Sequence, residues 1–261
     1  MKITWYGTAS VLLEAGETSL LFDPYMKDLP EGRETETVRK ARWEAFRGQK
    51  NILITHGHLD HLSSITALYA DIPCTVYLTE TPRNTLLAQG FPEEKLRLIR
   101  HGDVLKFGDI TVHIIKGKHI QYDIKTAVQL FSRVRSREMF HRMIRMARMN
   151  RVYKENGETM FFEITDGEKR VQLMGSAELA EGVAYPTGAD VLILPHQGRS
   201  DMDWHNRVVV EKLEPKRILM DHYDDAFPPV SMEVPTENFC REMSRKIPTE
   251  KLEEGIPVEI C

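Results

Sequence analysis

The chain has 261 residues, 41% of them hydrophobic and 28% charged, with a formal net charge of −4. That length suffices for a sizeable α/β core, and the charge balance gives no global push toward nucleic acid or a membrane. No apolar run reaches membrane-spanning length, residues 1–7 lack a signal-peptide core, and Cys74, Cys240 and Cys261 form no CxxC pair, so a soluble cytoplasmic protein is expected.

Alternating apolar residues predict short strands over 2–6, 10–14 and 18–22, the last stopped by Asp23-Pro24. Residues 35–47 read as a surface helix or a mobile flap. A buried strand over 51–55 follows, then a histidine-rich loop, a helix over 64–70 that Ser63 or Ser64 would cap, and a strand over 75–79. Thr81-Pro82 opens a helix that Gly90 ends, and 104–107 with 110–115 read as a hairpin. Strands are further predicted over 126–131, 159–164, 170–174, 191–195 and 217–221. Helices are expected over 201–213 and 236–246, with an edge strand at 256–260. No Pro/Gly-rich linker divides the chain, so residues 1–261 are expected to form a single domain.

The densest chemical signal is Thr55-His56-Gly57-His58-Leu59-Asp60-His61, directly behind the strand over 51–55. Three imidazoles and a carboxylate within six positions are the ligand types of Zn²⁺ and similar ions. In extended backbone His56 and His58 point to the same side. Strands 52–55, 191–195 and 218–221 each run into a histidine (His56, His196, His222), and the strand over 110–115 ends near His119. Strand ends on one rim are where α/β-type folds place their chemistry. His101, His113, His141 and His205 have no supporting context.

An insert at about 132–153 differs from the rest. Arg142, Arg145, Arg148 and Arg151 recur every third residue, with Met139, Met143, Ile144 and Ala147 opposing them. This predicts a basic amphipathic helix. The first reading is a surface helix packed by its apolar face, the second a lid offering arginines to an anionic substrate, and the third a membrane-surface or nucleic-acid contact.

The His-x-His-x-Asp-His run over 56–61 resembles the metallo-β-lactamase-fold hydrolase superfamily, and Phe22-Asp23-Pro24, His119 and His222 extend the likeness over most of the chain. The stretches from Leu194 to Asp201 and from Asp221 to Pro229 are most similar to the branch containing ascorbate-6-phosphate lactonase. The resemblance implies an αββα sandwich, two mixed β-sheets with helices outside. It implies that His56, His58 and His119 hold a first metal ion and Asp60, His61 and His222 a second, one or two Zn²⁺ with Mn²⁺ or Fe as alternatives. A water activated by the metal would then be the nucleophile. Asp60, which could orient or deprotonate that water, and His222 are the catalytic candidates. His196, Arg199 and Asp225 are candidate substrate contacts.

One position departs from the family pattern. Gly175 is followed by Ser176, where the superfamily usually has an Asp bridging both ions. A neutral hydroxyl brings neither its charge nor its two oxygens. A weaker second site is therefore expected, with Glu178, Asp224 and Asp225 as alternative carboxylates. Flavodiiron-type relatives carry Glu where this chain has His58, which argues against redox chemistry. The leading expectation is a metal-dependent hydrolase of a small anionic ester, lactone or phosphodiester. The alternative is a non-catalytic metal-binding or regulatory protein with a basic interaction helix. No membrane partner and no nucleic acid are expected, and a homo-oligomer through the Met-rich insert face is left open.

Overall fold

The computed structural model describes residues 1–27, 29, 34–132, 136–227 and 231–260. Residues 133–135 of the basic insert, 228–229 of the late segment and Cys261 lie outside them. The first half runs β1 (Lys2–Trp5), β2 (Val11–Ala15), β3 (Thr18–Phe22), α1 (Glu36–Arg47), β4 (Asn51–Leu53), α2 (Leu59–Leu62), α3 (Ile65–Tyr69), β5 (Thr75–Leu78), α4 (Glu80–Ala88) and β6 (Leu96–Leu98). The second half begins with β7 (Val104–Phe107), β8 (Ile110–Lys118), α5 (Ile124–Ser132), α6 (Arg137–Met149), β9 (Met160–Thr165) and β10 (Arg170–Met174). It continues with β11 (Glu178–Leu179), β12 (Val191–Pro195), α7 (Met202–Leu213), β13 (Ile218–Asp221), α8 (Glu237–Met243), β14 (Thr249–Lys251) and β15 (Pro257–Glu259).

The strands form two mixed sheets, ordered β15-β1-β2-β3-β4-β5-β6 and β11-β8-β9-β10-β12-β13-β14, with β7 paired to β8. Each sheet passes from antiparallel hairpins to parallel strands, at β3–β4 in the first and at β10–β12 in the second. Strand alternation divides the apolar residues between layers. Leu53 faces a central core with Phe22, Phe162, Val191 and Ile193, while its neighbours Ile52 and Ile54 face a second core with Phe46, Leu68 and Leu86 of the helices. Leu192 and Leu194 do the same on the other side, packing on Val209, Leu213 and Phe239 of α7 and α8. The expected αββα sandwich is therefore the observed architecture.

Two local expectations change. Residues 126–131 are helical, within α5, although their β-branched and aromatic content predicts a strand. The cause lies just upstream: an Asp123 carboxylate oxygen accepts the amide of Thr126 at 2.7 Å, the bond of a helix start. Ser64 precedes α3 without bonding its amides, because its hydroxyl accepts the amide of Met26 at 2.9 Å instead. The segment over 35–47 is the helix α1, with Thr35 Oγ1 accepting from the Val38 amide and Arg42 and Phe46 buried.

Candidate metal centre

Parallel pairing of β3 with β4 brings the strand ends at Asp23 and Thr55 side by side. Asp23 turns the chain at φ 44°, a left-handed conformation that Asp tolerates better than most residues, and its side chain is fully buried. Its Oδ1 accepts the Thr55 amide at 2.8 Å. Its Oδ2 accepts the Thr55 hydroxyl at 2.5 Å and lies 2.8 Å from His61 Nδ1. A carboxylate only accepts, so Nδ1 of His61 carries the proton and Nε2 presents its lone pair. Thr55 Oγ1, whose own proton goes to Asp23, lies 3.0 Å from His56 Nδ1 and fixes that ring in the same tautomer.

The loop after β4 is held by close backbone approaches. The Met160 amide donates to the Thr55 carbonyl at 2.9 Å, joining the first sheet to β9 of the second. A β-carbon at Gly57 would overlap the carbonyl oxygen of Lys154, and one at Gly175 would overlap Thr55 and the Met160 carbonyl. His119 arrives at the end of β8. His222 follows β13 at φ 47°, strained for a non-glycine residue and held there by its amide, which donates a hydrogen bond to the Thr8 carbonyl at 3.0 Å.

These elements bring six of the sequence-identified residues together in two groups. His56, His58 and His119 each offer a ring nitrogen, and these atoms lie within 4.8 Å of one another; Asp60, His61 and His222 do the same. The groups adjoin, with the His56 and His61 ring centroids 3.9 Å apart. In the first group His56 Nε2 and His58 Nδ1 are 3.2 Å apart, and in the second His222 Nε2 is 3.2 Å from Asp60 Oδ2. Lone pairs converging in this way fit a metal ion, since metal ligation requires neutral imidazole and ionised carboxylate.

The electrostatics agree with that chemistry. Burial and the neighbouring His61 and His119 rings hold His56 well below the ordinary histidine value, burial also lowers His58, and burial with His58 and His61 brings His119 down to about 4. Burial alone would raise Asp60, but the imidazoles of His61 and His222 hold its carboxyl well below the usual carboxylate range. For His222 burial disfavours the cation, and the Asp60 hydrogen bond and charge outweigh it, raising that ring.

Ser176 sits beside this edge in another role. Its buried hydroxyl accepts the amide of Ile120 at 3.0 Å and so fastens the residue next to His119. Of the alternative carboxylates, Glu178 pairs with Lys118 at 2.7 Å. Asp224 pairs with Lys27 at 2.5 Å and accepts the Thr8 amide at 2.9 Å, and Asp225 accepts from Ser231 at 2.5 Å. None joins either metal group among the described residues.

None of the expected substrate contacts belongs to either ligand group among the described residues. His196 is buried, with Nε2 3.3 Å from Asp203 and Nδ1 3.0 Å from Asn206, both on α7, and its ring against Phe239 of α8. Arg199 forms a two-bond pair with Asp201, at 2.7 and 3.0 Å. Three residues near the centre escape the sequence reading. Asp23 stands out there only as part of Phe22-Asp23-Pro24. Glu155, which accepts from Thr159 Oγ1 at 2.7 Å, acts by its charge on His58 and His119. Tyr122 is 63% exposed as a residue, while burial of its hydroxyl and then the charge of Asp60 raise the phenol to about 12.

The chain matches the family model described as "Beta-lactamase superfamily domain" over residues 2–222. It is 28% identical over 120 residues to a UPF0173 metal-dependent hydrolase of Chelativorans sp. (strain BNC1), a match covering 46% of this chain and 48% of that one. The chain thus aligns with about half the length of that relative. Its fold is similar to that of Igni18, a metallo hydrolase from the archaeon Ignicoccus hospitalis KIN4/I, with a TM-score of 0.62, 16% identity and coverage of 100% and 99% of the two chains. It is also similar to the metallo-beta-lactamase fold protein YhfI from Bacillus subtilis, with a TM-score of 0.62, 14% identity and coverage of 98% of each.

Proposed function

Because the chain belongs to the beta-lactamase superfamily domain family, and both of its histidine groups converge on one sheet edge, we propose that it is a metal-dependent hydrolase. Its proposed substrate is a small anionic ester, lactone or phosphodiester, and its proposed location the cytoplasm. The observation that carries this reading is the pair of adjoining three-ligand groups, each with its ligand atoms within 4.8 Å.

His56, His58 and His119 would hold one ion, and Asp60, His61 and His222 a second. Three neutral imidazoles favour Zn²⁺, while the carboxylate in the second group leaves Mn²⁺ and Fe as alternatives. A divalent ion at this position supplies a Lewis acid for the scissile carbonyl or phosphoryl group and an acidified water as nucleophile. Asp60, kept ionised by His61 and His222, would be placed to accept a hydrogen bond from a water held there and to orient it. The protonated form of His222 is favoured by Asp60, so with only the first group loaded His222 is placed to give a proton to the leaving oxygen. Tyr122 offers its phenol to a substrate oxygen beside Asp60. It stands on a loop fixed at both ends, by the Ile120 amide on Ser176 and by Asp123, which accepts the Ser200 hydroxyl at 2.7 Å.

Ser176 favours one second reading, a metal-binding protein without turnover, because no carboxylate stands where an anion would offset the repulsion between two cations. A panel of lactones, carboxylic esters and phosphodiesters assayed with Zn²⁺ or Mn²⁺ separates the two. Turnover abolished by His58→Ala supports the hydrolase. No turnover on any member favours the second reading, and turnover that survives His58→Ala contradicts both.

A further inference from the structure

Between β8 and β9 the chain leaves the metal edge, builds α5 and α6, and returns to it. Residues 124–154 contain nine Lys and Arg and a single acidic residue, Glu138, leaving 26 basic and 38 acidic residues for the rest of a chain whose net charge is −4. Positive charge is thus concentrated on one excursion and is opposed everywhere else.

The same excursion exposes apolar side chains. Ile124 is 84% exposed and Val128 60%, one turn apart on α5; Phe140 is 47% exposed on α6 and Val152 54% just beyond it. At about 100° per residue, Arg137, Phe140, Ile144 and Arg148 share an arc of about 80° on α6. Met139, Met143 and Met146 lie on the opposite side, and Met149 packs against the helical core of the first sheet. The outward face therefore mixes arginines with apolar side chains, while Met149 holds the helix to the body.

This pattern selects among partners. A small anion uses one or two cations and gains nothing from Ile124, Val128 or Val152. Single-stranded nucleic acid calls for a series of flat aromatic platforms, and of Ile124, Val128, Phe140 and Val152 one is aromatic and three are aliphatic. A bilayer surface bearing anionic headgroups takes both the charge and the aliphatic side chains. Among the described residues no helix is long and apolar enough to cross a membrane. The fitting mode is therefore peripheral.

We propose that the described residues of α5 and α6, with Val152 beyond them, are a docking surface for an anionic lipid bilayer. It replaces the expectation of no membrane partner. The segments on either side of α5 and α6 adjoin the metal edge, through the Ile120–Ser176 bond before them and the Gly57–Lys154 approach after them. The docking stands whatever bond the metal centre cleaves, and it is measured without turnover.

The test is co-sedimentation of the full chain with phosphatidylcholine vesicles, with and without phosphatidylglycerol. The expected result is binding only when phosphatidylglycerol is present, weakened by added salt. Arg137→Glu with Arg148→Glu should reduce it by at least about tenfold, each charge near such a surface being worth about fivefold. Ile124→Ser with Val128→Ser should reduce it at unchanged charge. Thermal melts report whether these variants fold, and Arg137→Gln with Arg148→Gln replaces the glutamates where they do not. Equal binding to neutral vesicles, or binding to neither, overturns the proposal. So does an RNA oligonucleotide that displaces the vesicles, or salt-sensitive self-association lost in the arginine variants.

Discussion

Asp23 Oδ2 lies 2.8 Å from His61 Nδ1, and through this contact a fully buried carboxylate with no place in either metal group decides which nitrogen of His61 is free to bind. The same carboxylate holds the Thr55 amide and hydroxyl, and Thr55 in turn orients His56. One side chain thereby reaches a ring in each group.

Asp23→Asn, which keeps the size and removes the charge, is expected to weaken metal binding about 10- to 100-fold, the usual cost of losing an outer partner of a ligating histidine. Competition against a chromophoric chelator measures it. Unchanged affinity would mean that the His61 tautomer is set elsewhere.

Ser176 separates two roles. Ser176→Ala removes the acceptor of the buried Ile120 amide and should cost about 1–3 kcal/mol of stability, read by denaturant unfolding of the metal-free protein. Ser176→Asp places a carboxylate where the superfamily resemblance implies one and should raise the number of tightly held metal equivalents. A second equivalent already tight in the wild type would contradict this.

The metal-free protein should lose stability in mild acid. In the folded state His119 is lowered to about 4, by burial first and then by His58 and His61, against an ordinary value of 6.5, and His56 and His58 shift the same way. Between those values the unfolded chain binds more protons than the folded one, so stability rises with pH. The sign gives a loss as pH falls from about 6.5 to about 4, with full benefit above that window. Bound metal should blunt the loss by excluding protons from the rings. Melting temperatures with and without chelator across this range test both statements.

Tyr122→Phe should lower kcat/KM by about tenfold, the worth of one hydrogen bond to a charged or developing oxyanion, without altering metal content. It should also weaken binding of a product acid measured by calorimetry. An unchanged product affinity would place the phenol outside the substrate.

Much of the centre is legible in the chain itself. The His56–His61 run, His119 and His222 each follow an apolar strand; β4 and β13 reach the edge by parallel pairing with β3 and β12, and β8 by antiparallel pairing with β9. His196 follows the same pattern and still turns toward Asp203 and Asn206, because side-chain direction at a strand end depends on which layer the last residue faces. The strand expected over 126–131 fails for a local reason. Asp123 offers a cap that starts a helix, and this outweighs the β-propensity of the residues after it. Asp23 is visible as a strand-stopping Asp-Pro, but its partner lies 38 residues away and appears only once β3 and β4 are paired.

The central claim is that the two histidine groups bind metal and that this metal performs the chemistry. The most direct measurement is the metal content per chain, by elemental mass spectrometry, of gently purified wild type and His58→Ala, taken beside turnover on the same samples. The expected result is at least one equivalent, chiefly zinc, in the wild type, lost together with turnover in His58→Ala. A wild type that turns over substrate without bound metal, or a His58→Ala protein that keeps both metal and turnover, would contradict it.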